Sequence, residues 1–550
     1  MERKIRAQAL LLLMAFVLML SGCNFSSSGS DNSEGAKADG GEGEASQVLN
    51  ISATADIPTL DSTKAHDGVA FTVLNNVNEG LYRQDENHQP IEALVTDHTE
   101  NEDQTVHTFT LRDSKWSNGE PVTAQDFEYA WKRVMKDASP YNFMFVTASI
   151  KNAEAIMNGE ADADELGVKA IDEKTLEVTL ESANPLLESL LTFPTFLPQN
   201  QKFVEEQGDQ YALEAENILF NGPFTLTDWT HEQGWNYAKN EDYWDAESVK
   251  LDKINAFVVK DPTTGVNLYE TNKVDRIDLS SESVDQYKDD PNFDTILEPS
   301  MIFLRFNHTH PVLGNKNIRQ AINMAIDKES LTDVILKDGS TALNGVVPKG
   351  FFQSPEGEDY RDLNGDFNTG SIEDAQKLWE TGLKEAGVSD LTVSINISDS
   401  DDHKKVAEYL QAQLEDNLPG FKLEIKAVPF AQRLEIEKAI EYDLSLSSWG
   451  PDYSDPMTYL DMWVEGGSAN RMKYHNPKLD ELVAQARVET DLSKRFEMLL
   501  DIEKILLEED AAIVPLYQDG TSILMRDKIK GLIVHPTGAS HTYKWASIEE

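Results

Sequence analysis

The chain reads as a mixed α/β protein of several lobes. Three observations predict this. Short apolar segments alternate with period two, amphipathic stripes of helical period lie between them, and the body shows no internal repeat or second low-complexity linker after Val48. In chain order, the strand candidates are His107–Arg112, Leu176–Leu180, Ile254–Val259, Leu391–Ile397, Phe421–Ile425 and Tyr442–Leu446. The helix candidates fall between and after them. Thr123-Ala-Gln-Asp126 has the form of a capping box, and Phe127, Trp131, Val134 and Met135 then share one face. Ile318, Ile322, Ala325 and Ile326 form a second stripe. Val406, Leu410, Gln413 and Leu414 form a third, and Leu479, Leu482, Val483 and Ala486 a fourth. Such stripes are core contacts.

Length and charge bound the rest. The 550 residues suggest three or four folding units. Acidic side chains number 97 against 48 basic ones, a formal net charge of -49. A field of that sign repels nucleic acid and anionic lipid headgroups, and it keeps a protein soluble.

The N-terminus carries an address. Arg3, Lys4 and Arg6 precede the apolar run Ala9–Leu20, the form of a signal peptide over residues 1–22. The run is shorter than the roughly 20 residues a spanning helix needs. It ends in Leu20-Ser21-Gly22-Cys23, which resembles the lipobox of bacterial lipoproteins and implies a diacylglycerol on Cys23 after cleavage before it. Cys23 is the only cysteine, so intramolecular disulfides and cysteine metal clusters are excluded. Residues 23–47, rich in Gly, Ser, Asp and Glu, read as a disordered tether with a reach of about 25–30 Å.

Hydrolytic chemistry finds no support. The sequence has no Gly-x-Ser-x-Gly elbow, no His-Glu-x-x-His zinc motif and no phosphate loop. His231-Glu232 lacks the second histidine. Asp362, Asn364, Asp366 and Glu373 are spaced as in a calcium loop, but the turn glycine is replaced by Phe367, which argues against that geometry. No enzyme, metal or cofactor is expected.

Several segments together resemble one family. They are Ile57-Pro-Thr-Leu-Asp61, Asn76–Tyr82, Phe109–Phe127 with Trp131, Gly167–Asp172, Asn221–Phe224 with Trp229, Asn240-x-x-Tyr-Trp244, Ile318–Asp327 and Trp449-Gly-Pro-Asp-Tyr-Ser-Asp-Pro456. In this order they are similar to the extracellular solute-binding proteins of oligopeptide and dipeptide ABC importers. The resemblance spans nearly all of the chain beyond Val48.

It implies a periplasmic-binding-protein-like α/β fold in three domains. The first would combine residues 48–67, 184–304 and 515–550. The second, an inserted structural domain, would be 68–183, and the third 305–514. Two crossings near residues 304 and 515 would form the hinge on which two lobes close over a cleft. The expected ligand is an oligopeptide, paired through its backbone with Ala55, Asp56 and Ile57 on one side and with Ser448, Trp449 and Gly450 on the other. Asp452 would hold the peptide ammonium. Trp449, Tyr453 and Tyr141 would line side-chain pockets. Asp455, beside Pro456, reads as a turn residue.

Leu446 departs from the family, because some oligopeptide binders carry an arginine there for a ligand carboxylate. A fixed grip on the C-terminus of short peptides is not expected here. The protein would be a monomer at the outer face of the cell membrane, touching lipid only through its anchor and delivering peptide to permease subunits. Rival readings are the same fold binding a nickel complex, haem, opine or sugar, and a peptide sensor without transport.

Overall fold

The computed structural model describes residues 46–137, 139–467 and 469–549. Cys23, the signal segment and the tether up to residue 45 lie outside the described residues.

One sheet runs through the molecule. Its strands, from one edge to the other, are Phe421–Val428, Leu391–Ser398, Leu444–Trp449, Phe293–Phe306, Ile513–Met525, Arg276–Asp278, Val48–Ala53, Lys253–Val258, Gly234–Lys239 and Phe224–Thr230. A short strand, Thr341–Ala342, also pairs with Ile513–Met525. The flank around Leu391–Ser398 is parallel to both its neighbours, and Val48–Ala53 is parallel to Lys253–Val258. Parallel strands need crossovers, which explains the alternation of helices and strands in the sequence.

The period-two segments form strands close to where their alternation predicts. Tyr442–Leu446 is shifted: the strand begins at Leu444 and extends to Trp449, into the segment expected to meet ligand. The two longest strands, Phe293–Phe306 and Ile513–Met525, run antiparallel and belong to both halves of the sheet. Phe293–Leu297 pairs with Gly520–Leu524, Met301–Arg305 pairs with Ile513–Gln518, and the register breaks between Leu297 and Met301. The pair is thus irregular where the halves meet. Gly520 lies there because a Cβ would come 2.3 Å from the Gly339 carbonyl oxygen.

The second half has its own core. Helix Lys316–Met324, capped by Asn315 accepting from the Asn317 and Ile318 N–H groups, lays Ile318, Ala321 and Ile322 against the sheet. Each fully buried isoleucine contributes about 1.5–3 kcal/mol. Helix Ile372–Ala386 approaches closely enough that a Cβ on Gly382 would sit 2.7 Å from Ile318. Helix Asp401–Asn417 buries Val406, Ala407, Leu410 and Leu414.

Residues 95–179 contribute a separate four-stranded antiparallel sheet, ordered Val95–Glu100, Val106–Leu111, Thr175–Thr179, Val168–Ala170. Helix Ala124–Lys136 covers it. The Thr123 N–H donates to the Asp126 carboxylate at 2.9 Å, as the capping box predicts, and Phe127, Trp131 and Val134 are buried. Arg133 then reaches out of this unit. It grips Asp61 with two hydrogen bonds of 2.7 Å, and this bidentate pair fixes the insertion to the first segment.

The calcium-like spacing does not become a site. Asp362 pairs with Lys349 at 2.6 Å, while Asn364 and Asn368 turn their amide N–H groups to the Leu500 and Leu507 carbonyls. Glu373 lies in the first turn of helix Ile372–Ala386.

Candidate functional site

A cavity of about 460 Å³ opens between the two halves beside the irregular strand pair. One wall comes from Asp67, Phe71, Tyr141 and Phe193, another from Gly450 and Asp452, and Glu298 stands at the strand pair.

The Asp452 wall is a loop folded upon itself. Strand Leu444–Trp449 ends at the half-buried Trp449, whose indole N–H donates to the Thr458 carbonyl at 2.9 Å. The Thr458 hydroxyl accepts the Asp452 N–H at 3.2 Å. Asp455 accepts the Met457 N–H at 2.9 Å and forms a buried bidentate pair with Arg495 at 2.7 and 2.8 Å. Tyr459 donates its hydroxyl to the Pro299 carbonyl, joining the loop to the strand pair. Asp455 is therefore a turn residue, as expected, and also the anchor of the loop.

Asp452 itself is held through its backbone alone. Among the described residues its carboxylate has no side-chain donor and no salt bridge. Burial, reinforced by the nearby Asp461, pushes its pKa up to about 6. Asp461 has its own cation, Arg487, at 3.0 Å. A partly buried carboxylate left without a partner is poised to take a cation.

Tyr141 faces it. Its ring stacks on Phe193 with centroids 4.9 Å apart and meets Phe71 edge-on at 5.2 Å. Burial, then Asp452 and Asp67, push its pKa up to about 12, so the hydroxyl keeps its proton. Arg133 holds the segment that carries Tyr141 to the first half.

Residues 54–57 follow strand Val48–Ala53, and no strand pairs with them. Burial would raise the pKa of Asp56. Donors from Trp229 Nε1 (3.1 Å), the Glu232 N–H (3.0 Å), His231 (2.9 Å) and the Ile57 N–H (2.9 Å) outweigh it and hold the carboxylate low. The side chain is thereby fully engaged, and the backbone around it is fixed. In the other half, Ser448 and Trp449 pair with Ile302 and Met301 on one edge, while pairing on the other edge ends at Ser445. Both segments present backbone that no strand covers.

Of the expected residues, Asp452, Gly450 and Tyr141 share the cavity wall. Ala55, Asp56, Ile57, Ser448 and Trp449 do not line it. Tyr453 is buried in the core and borders only a chamber of about 10 Å³. Leu446 is fully buried in the core of the second half. Asp67, Glu298 and His535 line the cavity without having been singled out in the sequence. Asp67 could have been: it precedes helix Gly68–Val77 as its N-cap, accepting the Ala70 N–H at 2.9 Å.

Comparison with known proteins agrees with this architecture. Residues 89–471 match the model of the bacterial extracellular solute-binding proteins, family 5. The dipeptide-binding protein DppE of Bacillus subtilis is 33% identical over 547 residues, covering 99% of each chain. The oligopeptide-binding protein OppA of the same organism is 30% identical, covering 96% of each. The solved structure of Listeria monocytogenes OppA bound to peptide is 43% identical, with a TM-score of 0.75 over 92% of this chain and 100% of its own. The uncovered backbone segments, the cavity between two halves and these likenesses lead to one assignment: the chain belongs to family 5 of the bacterial extracellular solute-binding proteins, which bind solutes and are not enzymes.

Proposed function

We propose that the protein captures oligopeptides between its two lobes and hands them to the permease of an ABC importer, while anchored to the outer face of the membrane through Cys23. The observation that carries the reading is Asp452: a partly buried, unpartnered carboxylate on the wall of an interlobe cavity, suited to the ammonium that every unblocked peptide carries. The names of the relatives, which bind dipeptides and oligopeptides, support the same class of ligand.

Backbone recognition follows from the two uncovered segments. A peptide laid between residues 55–57 and 448–450 gains main-chain hydrogen bonds whatever its side chains, which suits a receptor serving a mixed pool. Trp449, Tyr453 and Tyr141 shape the surroundings of those side chains, Tyr141 from the cavity wall. The strands Phe293–Phe306 and Ile513–Met525 act as the hinge. The proposed domains are 48–67, 184–304 and 515–550 in the first lobe, 68–183 inserted, and 305–514 in the second. Among the described residues no helix is long and apolar enough to cross a membrane, in keeping with attachment by lipid. The protein acts as a monomer.

Native mass spectrometry of the protein purified without refolding tests this reading. A spread of bound masses matching peptides of a few residues is expected. A single non-peptide mass would move the ligand to the nickel, haem, opine or sugar class and remove Asp452 as the ammonium partner.

A further inference from the structure

The charge of the cavity wall says more than that it binds an ammonium. Its lining, among the described residues, contains no lysine or arginine. It does contain three carboxylates, Asp67, Glu298 and Asp452, contributed by three separate parts of the chain. One ammonium neutralises one of them.

The other two are not spent on the protein. Asp67 uses Oδ1 to cap helix Gly68–Val77, but its buried Oδ2 has no hydrogen-bond partner. Glu298 lies at the hinge near Asp519 and Asp278, and burial, followed by those two charges, raises its pKa. The nearby cation, Arg276, is already paired with Asp278 at 3.1 Å. Thr521 gives Glu298 a hydrogen bond but no charge. His535, also in the wall, is buried, and its pKa is pushed down to about 3, so it brings no positive charge at neutral pH. Tyr141 stands between two of the carboxylates, raised by both Asp452 and Asp67, and its phenol is a neutral donor. A ligand with only its ammonium would close the lobes over two uncompensated carboxylates, a costly burial. A ligand with a second cation would leave one.

Building on the peptide reading, we infer that the preferred ligands are cationic peptides, with a lysine or arginine near the N-terminus whose side chain meets Asp67 or Glu298 while the terminal ammonium meets Asp452. The selection is electrostatic and local. An acidic residue at the same position would be rejected, because its carboxylate would join two others without a counter-ion.

The test uses the full chain in detergent and isothermal titration with alanine pentapeptides. Lysine, norleucine or glutamate replaces the first, second or third residue in turn. Norleucine matches the lysine stem without its charge. At one position at least, lysine is expected to bind 10-fold or more tighter than norleucine, with glutamate weakest. The lysine-to-norleucine ratio should fall below about 3 in D67N or E298Q, whatever either change does to the all-alanine affinity. Asn at position 67 keeps the helix cap, and a cooperative thermal transition shows that each variant is folded. Lysine and norleucine within 2-fold at all three positions, with the all-alanine peptide binding normally, would overturn the inference and leave peptide capture standing. Silence from every peptide would overturn both.

Discussion

The Asp455 carboxylate takes both terminal nitrogens of Arg495, at 2.7 and 2.8 Å, beneath the loop that presents Asp452. Both partners are buried. Removing one leaves the other as a lone buried charge, which costs about 3–5 kcal/mol. Asp455→Ala is therefore expected to lower unfolding free energy by that amount in chemical denaturation and to weaken peptide binding as the loop loosens. Asp455→Leu combined with Arg495→Met should recover much of the stability, but not the affinity, because the Met457 N–H remains uncapped.

Asp452→Ala is expected to weaken binding of an unblocked peptide by more than 2 kcal/mol, roughly 30-fold or more, through loss of one partner of a buried pair. Calorimetric titration reads it directly, and unchanged affinity would remove Asp452 from the site. An N-acetylated peptide should lose affinity for the wild type and be nearly indifferent to the variant.

The raised pKa of Asp452 gives a pH dependence with a definite sign. A carboxyl near 6 in the folded protein and near 3.8 when unfolded holds its proton more tightly when folded. Ionisation above pH 6 thus costs the empty protein stability, about 3 kcal/mol by this one group, and the cost fades as pH falls towards 4. Asp452→Asn should raise the melting temperature of the peptide-free protein at pH 7.5 and lose that advantage by about pH 4. Peptide affinity should run the other way. It needs the carboxylate, so it weakens below pH 6, and it needs a protonated amine, so it weakens again above about pH 8.

Gly520 tests the proposed hinge. A Cβ there would meet the Gly339 carbonyl oxygen at 2.3 Å, so Gly520→Ala must push the crossing strand away from its neighbour. A loss of about 1–3 kcal/mol is expected from the overpacking, together with a smaller peptide-induced change in radius of gyration by small-angle scattering than the wild type shows.

Much of this architecture was legible before any coordinates. Segments with clean alternation, such as Leu391–Ile397 and Phe421–Ile425, became strands because one face meets the core and the other meets water or helix. The two longest strands were not legible. Met301–Phe306 is apolar but for Arg305 and lacks alternation, since both faces are covered, and Pro299 interrupts the run before it. Asp452 could be located only by its motif. An aspartate after proline signals a turn, and its lack of a partner is a property of three-dimensional packing. Asp67 and Glu298 were hidden for the same reason in a chain with 97 acidic side chains. Which carboxylates lack counter-ions depends on the fold, and spacing does not carry it.

The continuous sheet has a thermodynamic consequence for capture. The strands Phe293–Phe306 and Ile513–Met525 remain hydrogen-bonded on both sides of their irregular segment, so each half of the molecule stays within reach of the other at every stage. Docking the second half onto a peptide already held by the first is then an intramolecular event, governed by a high effective concentration and free of the orientational search that two separate proteins would face. The entropy of bringing the jaws together is lost once, when the chain folds, and not again with each peptide. Modest contacts to each ligand therefore suffice for closure, and modest contacts also let the ligand go.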